Sequence, residues 1–276
     1  DNTVIIYNRV PKTASTSFMG VVYDLSEQNN YHTIHLNVTK NSHVMSVTDQ
    51  LRFAHNITQW SERLPAFYHG HVQYIEFQSL GVTKPVIYIN VIRKPLDRLV
   101  SYYYFLRFGD TFRPHKRRSR QGNKEVWGGL IELLEYIIKQ LNFFFPCRSP
   151  GNKWALEQAK RHLVEKYLLV GLTEQLEDFI TILETALPRF FKGATNRFQT
   201  GNKSHLRKTA SKQPLQQQTL DFFYKNKIWK MENEFYEFAR KVFNGVKKKT
   251  LIVNQDGSVT SSVEFFYEKI RPRSTT

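Results

Sequence analysis

The chain has 276 residues, 41% of them hydrophobic and 14% aromatic, enough to bury a sizeable core in one large α/β domain or two small ones, which excludes a disordered chain. Lys and Arg number 40 against 24 Asp and Glu, and the resulting formal charge of +16 points to a polyanionic partner: nucleic acid, anionic lipid or a sulfated glycan. No apolar run reaches the roughly 18 residues that a membrane-spanning helix needs, and no signal-peptide pattern opens the sequence.

Val4 to Asn8 is an apolar, β-branched run that reads as a buried first strand, and Thr16 to Gln28 reads as the helix that follows it. The loop between them carries Lys12 and, running into the helix, the hydroxyls of Thr13, Ser15, Thr16 and Ser17. A strand, a loop and a helix N-terminus in succession aim backbone N–H groups at one spot and so suit a phosphate. The loop is not a Walker A sequence, because the G-x-x-x-x-G-K-[ST] spacing is absent and it contains no glycine. The plainer alternative is an ordinary turn with a Ser or Thr N-cap.

His32 to Val38 alternates like a second strand, and Ser46 to Ile57 has helical spacing with Ser46 as N-cap and Asp49 three residues on. Ala66 to Val72 reads as an extended segment containing His69-Gly70-His71, and Val86 to Ile92 as a strand covered on both faces. Strands alternating with helices predict an α/β fold with a mainly parallel central sheet. Pro95 opens a helix to Phe108, followed by a basic loop over Gly109 to Lys124 with Arg113, Lys116, Arg117, Arg118 and Arg120. Trp127 to Leu141 and Asn152 to Lys166 read as helices around a break at Pro146 to Gly151. Leu168 to Gly171 is a short strand, Thr173 to Leu187 a helix capped by Thr173, and Gly193 to Pro214 a polar, basic loop. Helices over Leu215 to Tyr224 and Trp229 to Phe243 precede a hairpin of Leu251 to Val253 and Val259 to Phe266 around Asp256-Gly257. Without repeats or a clear linker, 1–276 is expected to form a single domain, with 251–276 a C-terminal hairpin and tail.

Four features call for chemistry. The Lys12 loop is the first. The second is Arg93, leaving the carboxyl end of a buried strand, with Ser101 about two helical turns further on, where open α/β sheets bind ligands. Arg93 and Ser101 suit a second phosphate, although a helix start with a surface arginine explains them as well. The third is His69-Gly70-His71, since a histidine titrates near neutral pH and suits removal of a hydroxyl proton. A metal site is the rival reading of H-x-H, but no nearby Cys or acidic residue has ligand-like spacing. The fourth is basic: Arg9, Lys40, Arg113, Arg117, Arg118 and Lys203 to Thr209. Cys147, the sole cysteine, allows no internal disulfide and suggests a reducing compartment, whereas the sequons at Asn37, Asn56 and Asn202 point the other way.

The Lys12 loop resembles the 5′-phosphosulfate loop of sulfotransferases that use PAPS (3′-phosphoadenosine 5′-phosphosulfate). Arg93 and Ser101, about 80 residues on, resemble the pair that grips the 3′-phosphate in that family. The segments Tyr7–Ser17, Tyr68–His71, Tyr88–Arg93, Arg98–Asp110, Pro188–Phe191, Ser204–Thr209, Trp229–Phe238 and Phe265–Lys269 are similar to the heparan sulfate 2-O-sulfotransferase family. The likeness covers nearly all of the chain except about 119–148. It implies a P-loop-like sulfotransferase fold and sulfuryl transfer from PAPS to the 2-hydroxyl of a hexuronic acid, mainly iduronic acid, in N-sulfated heparan sulfate or heparin.

Carried over by position, the resemblance makes His71 the catalytic base, His69 its supporting histidine and Lys12 the stabiliser of the leaving phosphosulfate bridge. Lys12, Thr13, Ala14, Ser15, Thr16, Arg93 and Ser101 become nucleotide contacts, with Ser204, Thr209 and Lys212 in a flap over it. Arg9, Tyr23, Lys40, Asn41, Tyr102, Asp110, Arg113, Arg118 and Arg207 become glycan contacts, and Lys269 lies in a tail reaching a neighbouring subunit. The family implies a homotrimer in the Golgi lumen, a type II membrane protein and glycoprotein whose anchor would precede Asp1, with no metal and no nucleic-acid partner. The chain departs from the family in keeping only Cys147, in a shortened and rewritten segment over Trp127 to Phe145, and in Lys94 where an acidic residue is usual, which suggests a divergent or engineered member. Three alternatives stand beside this reading. One is a uronyl 2-O-sulfotransferase acting on dermatan or chondroitin, which the Lys12 loop and the Arg207-Lys208-Thr209 flap disfavour. The others are a non-catalytic heparin- or nucleic-acid-binding module and a nucleotide kinase, the last disfavoured by the missing Walker glycines.

Overall fold

The computed structural model describes residues 2–37, 44–108, 151–201, 215, 217–253 and 259–261. Strands β1 (Val4–Asn8), β2 (His32–His35), β3 (Ala66–Gly70), β4 (Val86–Ile92) and β5 (Tyr167–Leu172) form one sheet in the order β2-β3-β1-β4-β5. Every pairing in it is parallel, as the alternation of strands and helices predicts. All residues of β1, β3 and β5 are buried, because covering helices leave those strands no solvent face, hence their near-continuous apolar runs.

The helices are α1 (Ser15–Gln28), α2 (Val47–Gln59), α3 (Pro95–Phe108), α4 (Lys153–Glu165), α5 (Leu176–Ala186), a single turn α6 (Pro188–Phe191), α7 (Ala194–Thr200), α8 (Gln217–Lys225) and α9 (Lys227–Thr250). Side chains alternate along β1, so neighbouring residues serve opposite layers. Tyr7 turns to the α1 layer, where Phe18 meets it edge-on at 5.1 Å, meets Phe179 of α5 at 5.3 Å and stacks on Phe191 of α6 at 6.1 Å. On the other face Tyr68 meets Phe53 of α2 at 5.1 Å, and Tyr74, Tyr88 and Tyr167 form a second aromatic cluster. The long α9 packs beside β5, and its Glu234 and Lys247 reach Lys160 of α4 at 2.6 Å and Asp178 of α5 at 2.7 Å.

Several boundaries differ from expectation, each for a tertiary reason. Thr173 does not cap a helix: its hydroxyl donates to the Ile92 carbonyl at 3.1 Å, a 3-10 turn covers Thr173–Gln175, and α5 starts only at Leu176. The stretch from Gly193, expected as loop, contains α7, because the Glu184 carboxylate accepts from the N–H groups of Gly193 at 2.6 Å and Thr195 at 2.8 Å. α9 continues through Asn244-Gly245 instead of ending at Phe243, a glycine inside a helix costing only about 1 kcal/mol. β2 stops at His35, short of Val38. β6 (Leu251–Val253) and β7 (Val259–Ser261) pair antiparallel as expected of the hairpin. The expected helix over Trp127 to Leu141, the turn at Asp256-Gly257 and the tail beyond Ser261 lie outside the described residues.

Phe18 is fully buried at the hub of the α1-side cluster. Phe18→Ala is expected to lower the unfolding free energy by about 3–5 kcal/mol, read from the urea denaturation midpoint.

Candidate active site

β1 is followed on one side by β3 and β2 and on the other by β4 and β5, so the direction of winding reverses between β1 and β4. The crevice beyond the carboxyl ends of two such strands is where open α/β sheets bind ligands. Arg9 and Lys12 follow β1, His71 follows β3 and Arg93 follows β4, so the structure brings these four positions to one edge.

The loop after β1 holds Lys12 at φ 66° and Ala14 at φ 58°, both left-handed, a conformation that costs a non-glycine residue on the order of 1–3 kcal/mol. The buried hydroxyl of Thr13 donates to the Val10 carbonyl at 2.8 Å and closes the loop from inside. Ala14 stands at the N-cap and no side chain caps α1, which disposes of the ordinary Ser- or Thr-capped turn. The N–H groups of Ser17 and Phe18 turn back to the Ala14 carbonyl at 3.0 and 3.2 Å. Those of Ser15 and Thr16, and both of their hydroxyls, meet no acceptor among the described residues, and no acidic side chain occupies the first turn. An open helix N-terminus of this kind attracts an anion. The Lys12 ammonium lies 4.3 Å above the Phe105 ring, which ties the loop to α3.

Ser101 stands one helical turn before Phe105 and so on the same face of α3. Its side chain is buried, yet its hydroxyl makes no hydrogen bond among the described residues. Arg93 is half-buried, and its guanidinium likewise has no partner among the described residues. The turn carrying it is pinned by Glu174, which accepts the Lys94 N–H at 2.9 Å and the Tyr236 hydroxyl at 3.3 Å, while the Lys94 side chain is exposed. An uncompensated arginine, an idle serine hydroxyl and open N–H groups across one crevice suit a ligand with two separated anionic groups.

The two histidines of the His-Gly-His segment differ in depth. His71 Nδ1 donates to the Arg9 carbonyl at 2.8 Å, because a carbonyl only accepts, and this leaves the basic lone pair on Nε2. Gly70 between them has no room for a side chain, since a Cβ would stand 2.7 Å from the Leu36 carbonyl oxygen. His69 is 2% exposed; its Nε2 lies 2.7 Å from the Tyr23 hydroxyl, and its Nδ1 is buried without a partner among the described residues. We assign its proton to Nε2, which spares a buried orphan donor and leaves the Tyr23 O–H directed outward. Burial above all, then Arg9, His35 and His71, hold the His69 pKa down to about 3, so this ring is neutral at any ordinary pH.

His35, which sequence reasoning passed over, stacks on His69 at 4.8 Å and accepts from the Arg9 guanidinium at 3.1 Å. Its pKa is lowered by burial and by Arg9. The only sequence signal for it is its place at the end of an alternating strand; its neighbours come from the parallel register that sets His35 beside His69. Tyr102 is half-buried on α3, 6.5 Å from Phe105. The remaining expected site residues, Lys40, Asn41, Asp110, Arg113, Arg118, Ser204, Arg207, Thr209, Lys212 and Lys269, lie outside the described residues. Among the described residues no group of three or more His, Cys, Asp or Glu is arranged to hold a metal, and no helix is long and apolar enough to cross a membrane.

A crevice at the switch point of a parallel sheet, edged by Lys12, His71 and Arg93, has the chemistry to suit an anionic ligand and fits an α/β group-transfer protein. Residues 1–141 match the family model described as the sulfotransferase family. The chain is 53% identical over 285 aligned positions to heparan sulfate 2-O-sulfotransferase 1 of Gallus gallus, covering 99% of this chain and 80% of that protein. It is 52% identical over 284 positions to heparan sulfate 2-O-sulfotransferase 1 of Homo sapiens and 45% identical over 283 to the heparin sulfate O-sulfotransferase of Drosophila melanogaster, at the same coverage of 99% and 80%. The chain belongs to the heparan sulfate 2-O-sulfotransferases. At that coverage the alignment runs through 119–148 as well, the stretch that the motif likeness leaves out.

The depressed His69 pKa links stability to pH. Below about pH 6.5 the unfolded chain protonates this histidine and the folded protein does not, so acidification lowers stability, by up to about 1.4 kcal/mol per pH unit. Urea midpoints measured from pH 7 to pH 5 are expected to fall in the parent and to fall less steeply in His69→Gln; equal slopes would place the proton-linked loss elsewhere.

Proposed function

We propose that this chain transfers the sulfuryl group of PAPS to the 2-hydroxyl of hexuronic acid, mainly iduronic acid, in N-sulfated heparan sulfate or heparin. The observation that supports the reading is the bond from His71 Nδ1 to the Arg9 carbonyl, which leaves the basic lone pair on Nε2 in a residue that follows β3 at the same sheet edge as the Lys12 loop and the Arg93 turn. PAPS supplies an activated sulfur whose leaving group is adenosine 3′,5′-bisphosphate. His71 Nε2 takes the acceptor proton as the new O–S bond forms and the bond from sulfur to the phosphate oxygen breaks. Lys12 and the N–H groups of Ala14, Ser15 and Thr16 receive the negative charge that gathers on that phosphate, where preorganised donors act most strongly. Arg93 and Ser101 hold the 3′-phosphate, and Thr13, its hydroxyl turned inward, serves by shaping the loop. This set of cations needs no metal.

On the acceptor side, Arg9 and Tyr23 stand nearest the histidines, and planar guanidinium groups suit sulfates and carboxylates. His69 supports Tyr23 by hydrogen bond and carries no proton in the reaction. By family likeness, Lys40, Asn41, Tyr102, Asp110, Arg113, Arg118 and Arg207 complete the glycan contacts, and Ser204, Thr209 and Lys212 form a flap over the nucleotide. The same likeness supports one catalytic domain over 1–276, with 251–276, including Lys269, used in contacts of a homotrimer. It also supports residence in the Golgi lumen as a type II membrane glycoprotein.

His71→Ala is expected to lower kcat about 10²- to 10⁴-fold while leaving the affinity for adenosine 3′,5′-bisphosphate unchanged. The assay is transfer from labelled PAPS to N-sulfated heparosan with disaccharide analysis of the product. Loss of 2-O-sulfated uronate in the variant alone supports the base; undiminished transfer removes it.

A further inference from the structure

The β1–β4 ladder runs in register from Val4 beside Val86 to Tyr7 beside Ile89 and then stops. One residue on, a side chain stands in for the backbone. Asn90 Nδ2 donates to the Asn8 carbonyl at 2.8 Å and lies 3.0 Å from Asn8 Oδ1, while Asn90 Oδ1 accepts the Val91 N–H at 2.8 Å. One amide thus fills both halves of the bond that the two strands would otherwise share. Asn8 passes the connection on through its own Nδ2, which donates to the Tyr167 hydroxyl of β5 at 2.8 Å. Both asparagines are fully buried in strands where β-branched residues pack better and carry no desolvation cost. The effect of this costly choice is to divide β1 from β4 at the switch point. Asn8 directly precedes Arg9 and lies four residues before Lys12, and Asn90 lies three before Arg93, so the amide sets how far apart both walls of the crevice begin.

We propose that Asn90, with Asn8 and Tyr167, is a positioning clasp that fixes the gap between the Lys12 loop and the Arg93 turn and so matches it to a ligand carrying phosphates at both ends. The proposal rests on reading that crevice as the donor-nucleotide site. Asn90→Val restores the apolar strand pattern and lets the Asn8 carbonyl and the Val91 N–H pair directly, narrowing the crevice. Tyr167→Phe removes only the hydroxyl at the far end of the clasp and keeps the ring. Calorimetric titration with adenosine 3′,5′-bisphosphate is expected to show Kd raised about tenfold in Asn90→Val and by a smaller factor in Tyr167→Phe, the scale of lost buried hydrogen bonds. Steady-state kinetics are expected to show KM for PAPS rising with it while KM for N-sulfated heparosan stays within about twofold, a split that general loosening of the fold would not produce. Unchanged bisphosphate affinity in folded variants overturns the clasp, as does an equal rise in both KM values accompanied by a lower Tm. If Asn90→Val does not fold, Tyr167→Phe decides alone. A parent that binds no bisphosphate overturns the reading of the crevice itself, and that result is distinct because it precedes any variant.

Discussion

The ring of Phe18 ties the first turn of α1 to Tyr7 near the carboxyl end of β1, and the loop that lines the crevice takes its place from that tie. β1 occupies the centre of a sheet whose buried strands leave it no freedom to shift. With the strand end and the helix start both fixed, the few residues between them have one short path. Lys12 and Ala14 accept left-handed backbone to follow it. The strain is of order 1–3 kcal/mol at each residue, comparable to what burying one large side chain contributes, so the aromatic cluster can sustain it. Open N–H groups and a lysine are thereby presented together without any glycine in the loop.

Depth separates two histidines that stand only two residues apart. His69 lies within β3 under His35, where burial forbids a charge; His71 lies just past the strand, where a main-chain carbonyl selects its tautomer. Gly70 permits this because the chain after β2 presses against it, its Leu36 N–H donating to the His69 carbonyl at 2.7 Å. A sequence motif of two identical side chains thus becomes, in the fold, one uncharged spacer that orients a tyrosine and one nitrogen able to take a proton. The same logic of environment sets acid and base assignments in other active sites.

Elements whose causes are local were legible from the residues alone. β1, β4 and α3 occupy the spans their apolar runs and Pro95 predict, and Ser46 caps α2 by accepting the Asp49 N–H at 3.1 Å. Elements whose causes are distant were not. α7 depends on the Glu184 carboxylate reaching across from α5, and Thr173 is diverted from a cap by the Ile92 carbonyl. In the site, Lys12, His71 and Arg93 could be singled out because their chemistry shows in short motifs. His35 and the paired asparagines could not: a histidine at a strand end and two amides among apolar residues acquire meaning only through parallel register, which joins residues far apart in the chain.

The bond that sets the His71 tautomer has a consequence for redesign. It uses the carbonyl of residue 9, an atom common to every amino acid, whereas the guanidinium of Arg9 points to His35. On the proposed mechanism, polysaccharide choice and proton removal are therefore carried by separate parts of one residue. Side chains at that position can be randomised in a search for new acceptors while the base keeps its aim. Proline alone is barred, since the Arg9 N–H is needed by the Gly70 carbonyl at 2.8 Å.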